Sequence, residues 1–169
     1  MQRATLSITG EGGVYAVKAS GRATFECAGP LRELAKKLGA EEFTVLDVDL
    51  AECQGMDSTF MGILAMLGLR ARKIGAAMNI VNANELNRSL LYGLGLKKLF
   101  NYTQGPVAAS SASAVAAPAE NSRMESAQTV LDAHKTLMEV DDENKKKFGA
   151  VVQMVQQDID KLHQEEEKK

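Results

Sequence analysis

The 169-residue chain is 45% hydrophobic and 25% charged with a formal net charge of -2, an ordinary globular composition with room for one compact domain and an appendage. That balance gives no global field to gather nucleic acid or an anionic membrane. No apolar run approaches the roughly 18 residues of a membrane span, and two cysteines, Cys27 and Cys53, are too few for a disulfide framework.

The N-terminus, MQRATLSITGEGG, has no apolar core of a signal peptide, so the expectation is a cytoplasmic protein with free thiols. Charge divides the chain. Residues 1–105 hold 12 basic and 10 acidic side chains, net +2, whereas residues 106–169 hold 8 and 12, net -4. The two parts are different objects whose opposite signs permit weak attraction.

In chain order, Ala4–Thr9 and Val14–Ala19 read as strands joined by the turn Gly10-Glu11-Gly12-Gly13, and 21–24 as a further extended piece. Pro30 opens a helix over 31–38 that Gly39 closes. Residues 43–50 form a strand. Thr44, Leu46, Val48 and Leu50 lie on one face, with Asp47 and Asp49 ending the other.

A helix runs from Thr59 to about Ile74, its buried stripe made by Phe60, Ile63, Leu64, Leu67 and Ala71. Arg70, Arg72 and Lys73 sit in its last turn, where cations suit the helix dipole. Residues 77–81 form a strand, and Asn84 caps a helix to Tyr92 that Gly93 and Gly95 end. Alternating strands and helices imply an α/β layer. The predicted domains are 1–104, an Ala/Ser/Pro-rich flexible linker over 105–119, and an amphipathic helical segment over 120–169.

In that last segment Met124, Ala127, Leu131, His134, Met138, Phe148, Val152, Val155, Ile159 and Leu162 keep one heptad register, with Asp141 and Lys145 in the intervening slots. A long helix or a helical hairpin fits. Self-association as a coiled coil, giving a homo-oligomer through residues 120–169, is the favoured cover for the stripe, over fold-back or docking on the domain.

The chemistry concentrates at Asp57-Ser58-Thr59. All three are preferred N-cap types, because their oxygens accept the free amide hydrogens of a first turn. The same helix start carries partial positive charge and tolerates a phosphate, which would add about -1.5 to -2 charge beside Asp57 without melting the helix. Neighbouring Asp49 would add to that charge. Nothing points to an enzyme, cofactor or metal site. Cys53 lacks a nearby base, since both histidines, His134 and His163, lie in the tail. His134 fits a heptad core position and His163 a solvated one. No glycine loop matches a phosphate-binding pattern, and a helix end explains the basic cluster better than nucleic acid does.

Asp49-Leu50, six residues, Asp57-Ser58-Thr59 and an apolar helix resemble the STAS domain of anti-sigma-factor antagonists. The paired opening strands, the helix started at Pro30 and the closing LLYGLGLKKLF resemble that family in order and spacing. The resemblance covers about residues 1–103. It implies a small mixed sheet flanked by helices and a serine, at Ser58 or alternatively Thr59, phosphorylated by a serine kinase of the anti-sigma type. The unmodified form would bind that partner, the modified form would be released, and a phosphatase would reset the switch in bacterial transcription regulation. No catalysis would reside in the domain. Asp49, Asp57, Ser58, Thr59 and Phe60 are the implied partner-binding residues. Phe60 stands where the family motif has glycine, and the next glycine is Gly62. The rival reading is a module without phosphorylation that binds a ligand, serves a transporter or scaffolds a larger assembly.

Overall fold

The computed structural model of the chain describes residues 4–107, 114–116 and 122–168. Six strands form one mixed sheet in the order β5-β4-β3-β2-β1-β6. β1 (Thr5–Glu11) and β2 (Val14–Ala23) make the opening antiparallel hairpin. β2, β3 (Val45–Met56), β4 (Ala77–Val81) and β5 (Asn101–Thr103) run parallel. The helices α1 (Gly29–Ala40), α2 (Ser58–Ile74) and α3 (Glu85–Gly93) lie between them in sequence.

The two faces of the sheet differ, and alternation along β3 shows why. Leu46, Val48 and Leu50 are buried in the core, together with Ile63, Leu64 and Leu67 of α2. Asp47 and Asp49 point to the other face. There Asn101 donates to Asn79 at 3.2 Å and Asn79 to Asp47 at 2.7 Å, a polar ladder across β5, β4 and β3. Arg70 donates to the carbonyls of Leu38 and Glu41 at the end of α1, and Arg72 to that of Lys98. These two cations of the basic cluster therefore serve packing.

Several predicted bounds move: β1 takes up Gly10 and Glu11 of the predicted turn, and β2 continues through the extended piece to Ala23. β3 runs six residues past Leu50, paired with Ser20–Ala23 of β2 across register shifts. α1 passes through Gly39 to Ala40, with the Glu41 amide bonded to the Lys37 carbonyl. The linker predicted over 105–119 lies in part outside the described residues. Within it, Ala114–Ala116 forms β6, antiparallel to β1, and Gly105 is held by two hydrogen bonds to the Asn82 amide side chain.

The tail is a helical hairpin, α4 (Arg123–Val140) and α5 (Glu143–Glu167). A capping box between Ser122 and Glu125 starts α4. Asp141, in extended conformation, ends it and accepts from the Glu143 amide, while Lys145 pairs with Asp142 at 3.0 Å. Asp141 thus lies in the turn and Lys145 in the first turn of α5, so the two do not continue one seam.

Within the chain, two of the covers weighed for the stripe are both used: α4 packs on α2, and α5 packs on α4. The reason is a second buried face. Leu131 and His134 on the heptad stripe are buried, but so are Thr129, Ala133 and Leu137 at four-residue spacing. α4 is thus buried on one side by α5 and on the other by the domain. At the turn, Asn144 donates to the carbonyls of Leu94 and Leu137 at 2.9 and 2.8 Å, and Lys147 to that of Gly93 at 2.8 Å. The hairpin turn thereby satisfies carbonyls left free at the end of α3. Gly95, at φ 77°, leaves the space that the Asp141 carboxylate occupies.

Candidate functional site

The start of α2 is built by Asp57. One carboxylate oxygen accepts from the Phe60 amide at 2.8 Å, capping the helix, and the other accepts from the Phe25 amide at 2.8 Å. Its own amide donates to the Ala23 carbonyl at 3.0 Å. A single side chain thus joins the helix start to the 3-10 turn Phe25–Cys27, where Phe25 is 50% exposed. Asp57→Ala removes both acceptors. The expected loss is about 2 kcal/mol, the upper end for an N-cap, read as a shifted urea midpoint.

Ser58 is the first residue of α2 and partly exposed. Its hydroxyl lies 2.8 Å from Nε2 of His134, on α4. The other ring nitrogen, Nδ1, is 2.6 Å from the Val130 carbonyl, which can only accept and so places a proton there. In the neutral imidazole Nε2 then accepts the Ser58 hydroxyl proton. His134 is 4% exposed, and its ring meets Phe148 of α5 edge to face, centroids 4.9 Å apart.

One turn further along α2, Gly62 meets Ala133. A Cβ at Gly62 would lie 2.5 Å from the Ala133 carbonyl oxygen and 2.7 Å from its Cβ. The helix backbones can cross this closely because neither side has bulk there. Near the crossing, Arg32 of α1 pairs with Asp132 of α4 at 3.2 Å, the two side chains 12% and 34% exposed.

Of the predicted site residues, Asp57, Ser58, Thr59 and Phe60 share this helix start. Phe60 is fully buried in the core, as its place on the stripe implies, and Thr59 is 4% exposed, so in this arrangement neither offers its side chain to a partner. The stripe that turns Phe60 toward the sheet is the cause. Asp49 stands apart, eight positions back along the chain on β3, on the order of 20 Å by strand rise. It accepts from the Ala51 amide and from Asn82, so its charge does not add to that of Asp57. His134, Gly62 and Phe25 went unread as site residues. The glycine that breaks the family pattern by two positions was the one available signal.

Cys53 is buried and Cys27 partly so. Burial pushes the Cys53 thiol up, as it does Cys27, where the Asp57 charge adds to the effect. Among the described residues no cluster of three His, Cys, Asp or Glu could hold a metal ion, and no helix is long and apolar enough to cross a membrane.

A small mixed sheet with helices against its apolar face, and a capped serine opening the second helix, define a STAS-type α/β domain. The chain belongs to the STAS family: residues 6–101, more than half of it, match the family described as Mlab, STAS domain. Among solved structures, the anti-sigma factor antagonist SpoIIAA in its unphosphorylated form is similar with a TM-score of 0.50 at 9% identity, over 61% of this chain and 89% of that one. An anti-sigma factor antagonist from Mycobacterium paratuberculosis gives a TM-score of 0.48 at 22% identity, over 60% and 86%. At these identities the likeness is one of fold. Curated protein sequences contain no match.

Proposed function

We propose that this protein is a signalling module of the anti-sigma-factor-antagonist type, acting by partner switching through reversible phosphorylation of Ser58. The observation that carries the reading is the position of Ser58. It opens a 17-residue helix, where a phosphate dianion meets unpaired amides and the positive end of the dipole. Asp57 holds that helix start independently of the Ser58 hydroxyl. Modification therefore changes the charge of the surface and leaves the domain fold intact, as a docking switch requires. The STAS family and the SpoIIAA-like fold support the same reading.

In this reading the unmodified form binds an anti-sigma factor with serine kinase activity, phosphorylation releases it, and a phosphatase restores it. The domain carries out no catalysis, and the cytoplasm is where such a circuit operates. Intact-mass and peptide mapping of protein from its native host, with and without phosphatase, should place one phosphate on Ser58. Ser58→Asp should then lose binding to the partner and Ser58→Ala keep it, both with nearly unchanged melting of the domain. Equal partner affinity for the two variants would falsify the switch.

A further inference from the structure

We infer that the C-terminal hairpin is a displaceable gate over Ser58: with the hairpin docked, neither a phosphotransferase nor a partner reaches the start of α2. The inference concerns access to the site and rests on the phosphoswitch reading only for what uses that access.

Covering is the first observation. The Ser58 oxygen is bonded at 2.8 Å to an imidazole that is itself buried and backed by Phe148. Phosphoryl transfer needs the donor phosphate in line with the attacking oxygen. The product also sets three charged oxygens around a phosphorus where His134 now lies. In the closed arrangement the imidazole occupies that side of the partly exposed serine.

The second observation is how the hairpin is held. Its own seam is separate from the domain core: Leu131 and Ile159 are buried but do not belong to the cluster that spans sheet, α1 and α2. Only Ala133 and Leu137 of the hairpin enter that cluster fully, with Val140 and Phe148 packed on it in part. The remaining ties are polar, namely Ser58 to His134, Arg32 to Asp132, and the Asn144 and Lys147 bonds to carbonyls at the end of α3. Water can replace each of these when the hairpin lifts. The hairpin keeps its inner seam, and the domain keeps Phe60, Ile63, Leu64 and Leu67 against the sheet. What opening exposes is the α2–α4 contact, chiefly Ala133 and Leu137 on the hairpin side, so the docked state is favoured and the lifted one is the minor state that a movable element visits.

The crossing at Gly62 supplies the test. Alanine is a better helix former than glycine, so Gly62→Ala suits α2 itself, and the nearest atoms its Cβ meets are those of Ala133. Ala133→Leu places the wedge on the other helix. Ser58→Cys in the full chain puts a thiol at the site, and iodoacetamide followed by peptide mass mapping reads its alkylation rate, with native Cys53, buried within the domain, as internal control. The expected result is slow alkylation at position 58 in the otherwise native chain and a rate at least tenfold faster with either wedge, while Cys53 stays slow. Equal rates at position 58 with and without the wedges overturn the gate, as does acceleration of Cys53 in step with position 58 in both wedge variants. Failure of the phosphoswitch reads differently. Position 58 is then gated as described, yet native-host protein carries no phosphate on Ser58, with or without Gly62→Ala.

Discussion

Phe60→Ala should cost about 3–5 kcal/mol of stability, the range for truncating a large buried aromatic. Phe60 has no exposed surface and packs in the cluster that joins α2 to the sheet. Its neighbours on the stripe, Ile63 and Leu64, are equally buried and leave little freedom to close the cavity. Urea unfolding followed by far-UV circular dichroism measures the loss. Amide exchange should show it in β3 as well as α2, because the cavity opens at their interface. A nearly unchanged midpoint with lost partner binding would place the ring in a binding role instead.

Leu137→Ala should act on the other interface. Leu137 is fully buried and is the large hairpin side chain that enters the domain core completely. Its truncation should cost about 2–5 kcal/mol, charged to docking of the hairpin. The expected signature is lost exchange protection in α4 at unchanged protection in β3, the reverse of the Phe60 pattern. Loss of protection in both elements to the same degree would show that the hairpin and domain open only as one cooperative unit.

How much of this was legible in the chain depended on whether local chemistry decided it. The start of α2 was legible because Asp57 caps by a bond three residues away and because Phe60, Ile63, Leu64 and Leu67 repeat at helical spacing. The end of β3 was not, since Glu52, Gln54 and Gly55 interrupt the alternation that marks a strand, and only pairing with β2 holds them extended. β6 lies in an Ala/Ser-rich stretch with no pattern of its own and forms against the free edge of β1.

The tail is the instructive case. Its heptad stripe stated correctly that one face must be covered, but burial energy is the same whatever the cover. What decides is the second face, and Thr129 and Ala133 are too small or too polar to register as an apolar stripe. The Ser58–His134 bond spans 76 positions, and no spacing rule reaches that far. The sequence did place His134 in a buried position, which holds, but for a reason that the heptad could not supply.

Strand β6 bears on the strength of any competitor for the α2 start. Only five residues, 117–121, separate Ala116 from the Ser122 cap of α4, and so few span at most about 20 Å. On the proposed gate, with β6 paired to β1, that reach would keep a lifted hairpin beside its own seat, at an effective concentration on the order of millimolar. A partner of the proposed kind would then compete with a local rival that dilution cannot remove, and its apparent Kd would be the intrinsic value divided by the fraction of chains with the seat vacant. Unpairing β6 lengthens the leash back toward Thr103, lowers that local concentration and raises the vacant fraction. On the proposed gate, three residues at the sheet edge would thereby set how often Ser58 is uncovered.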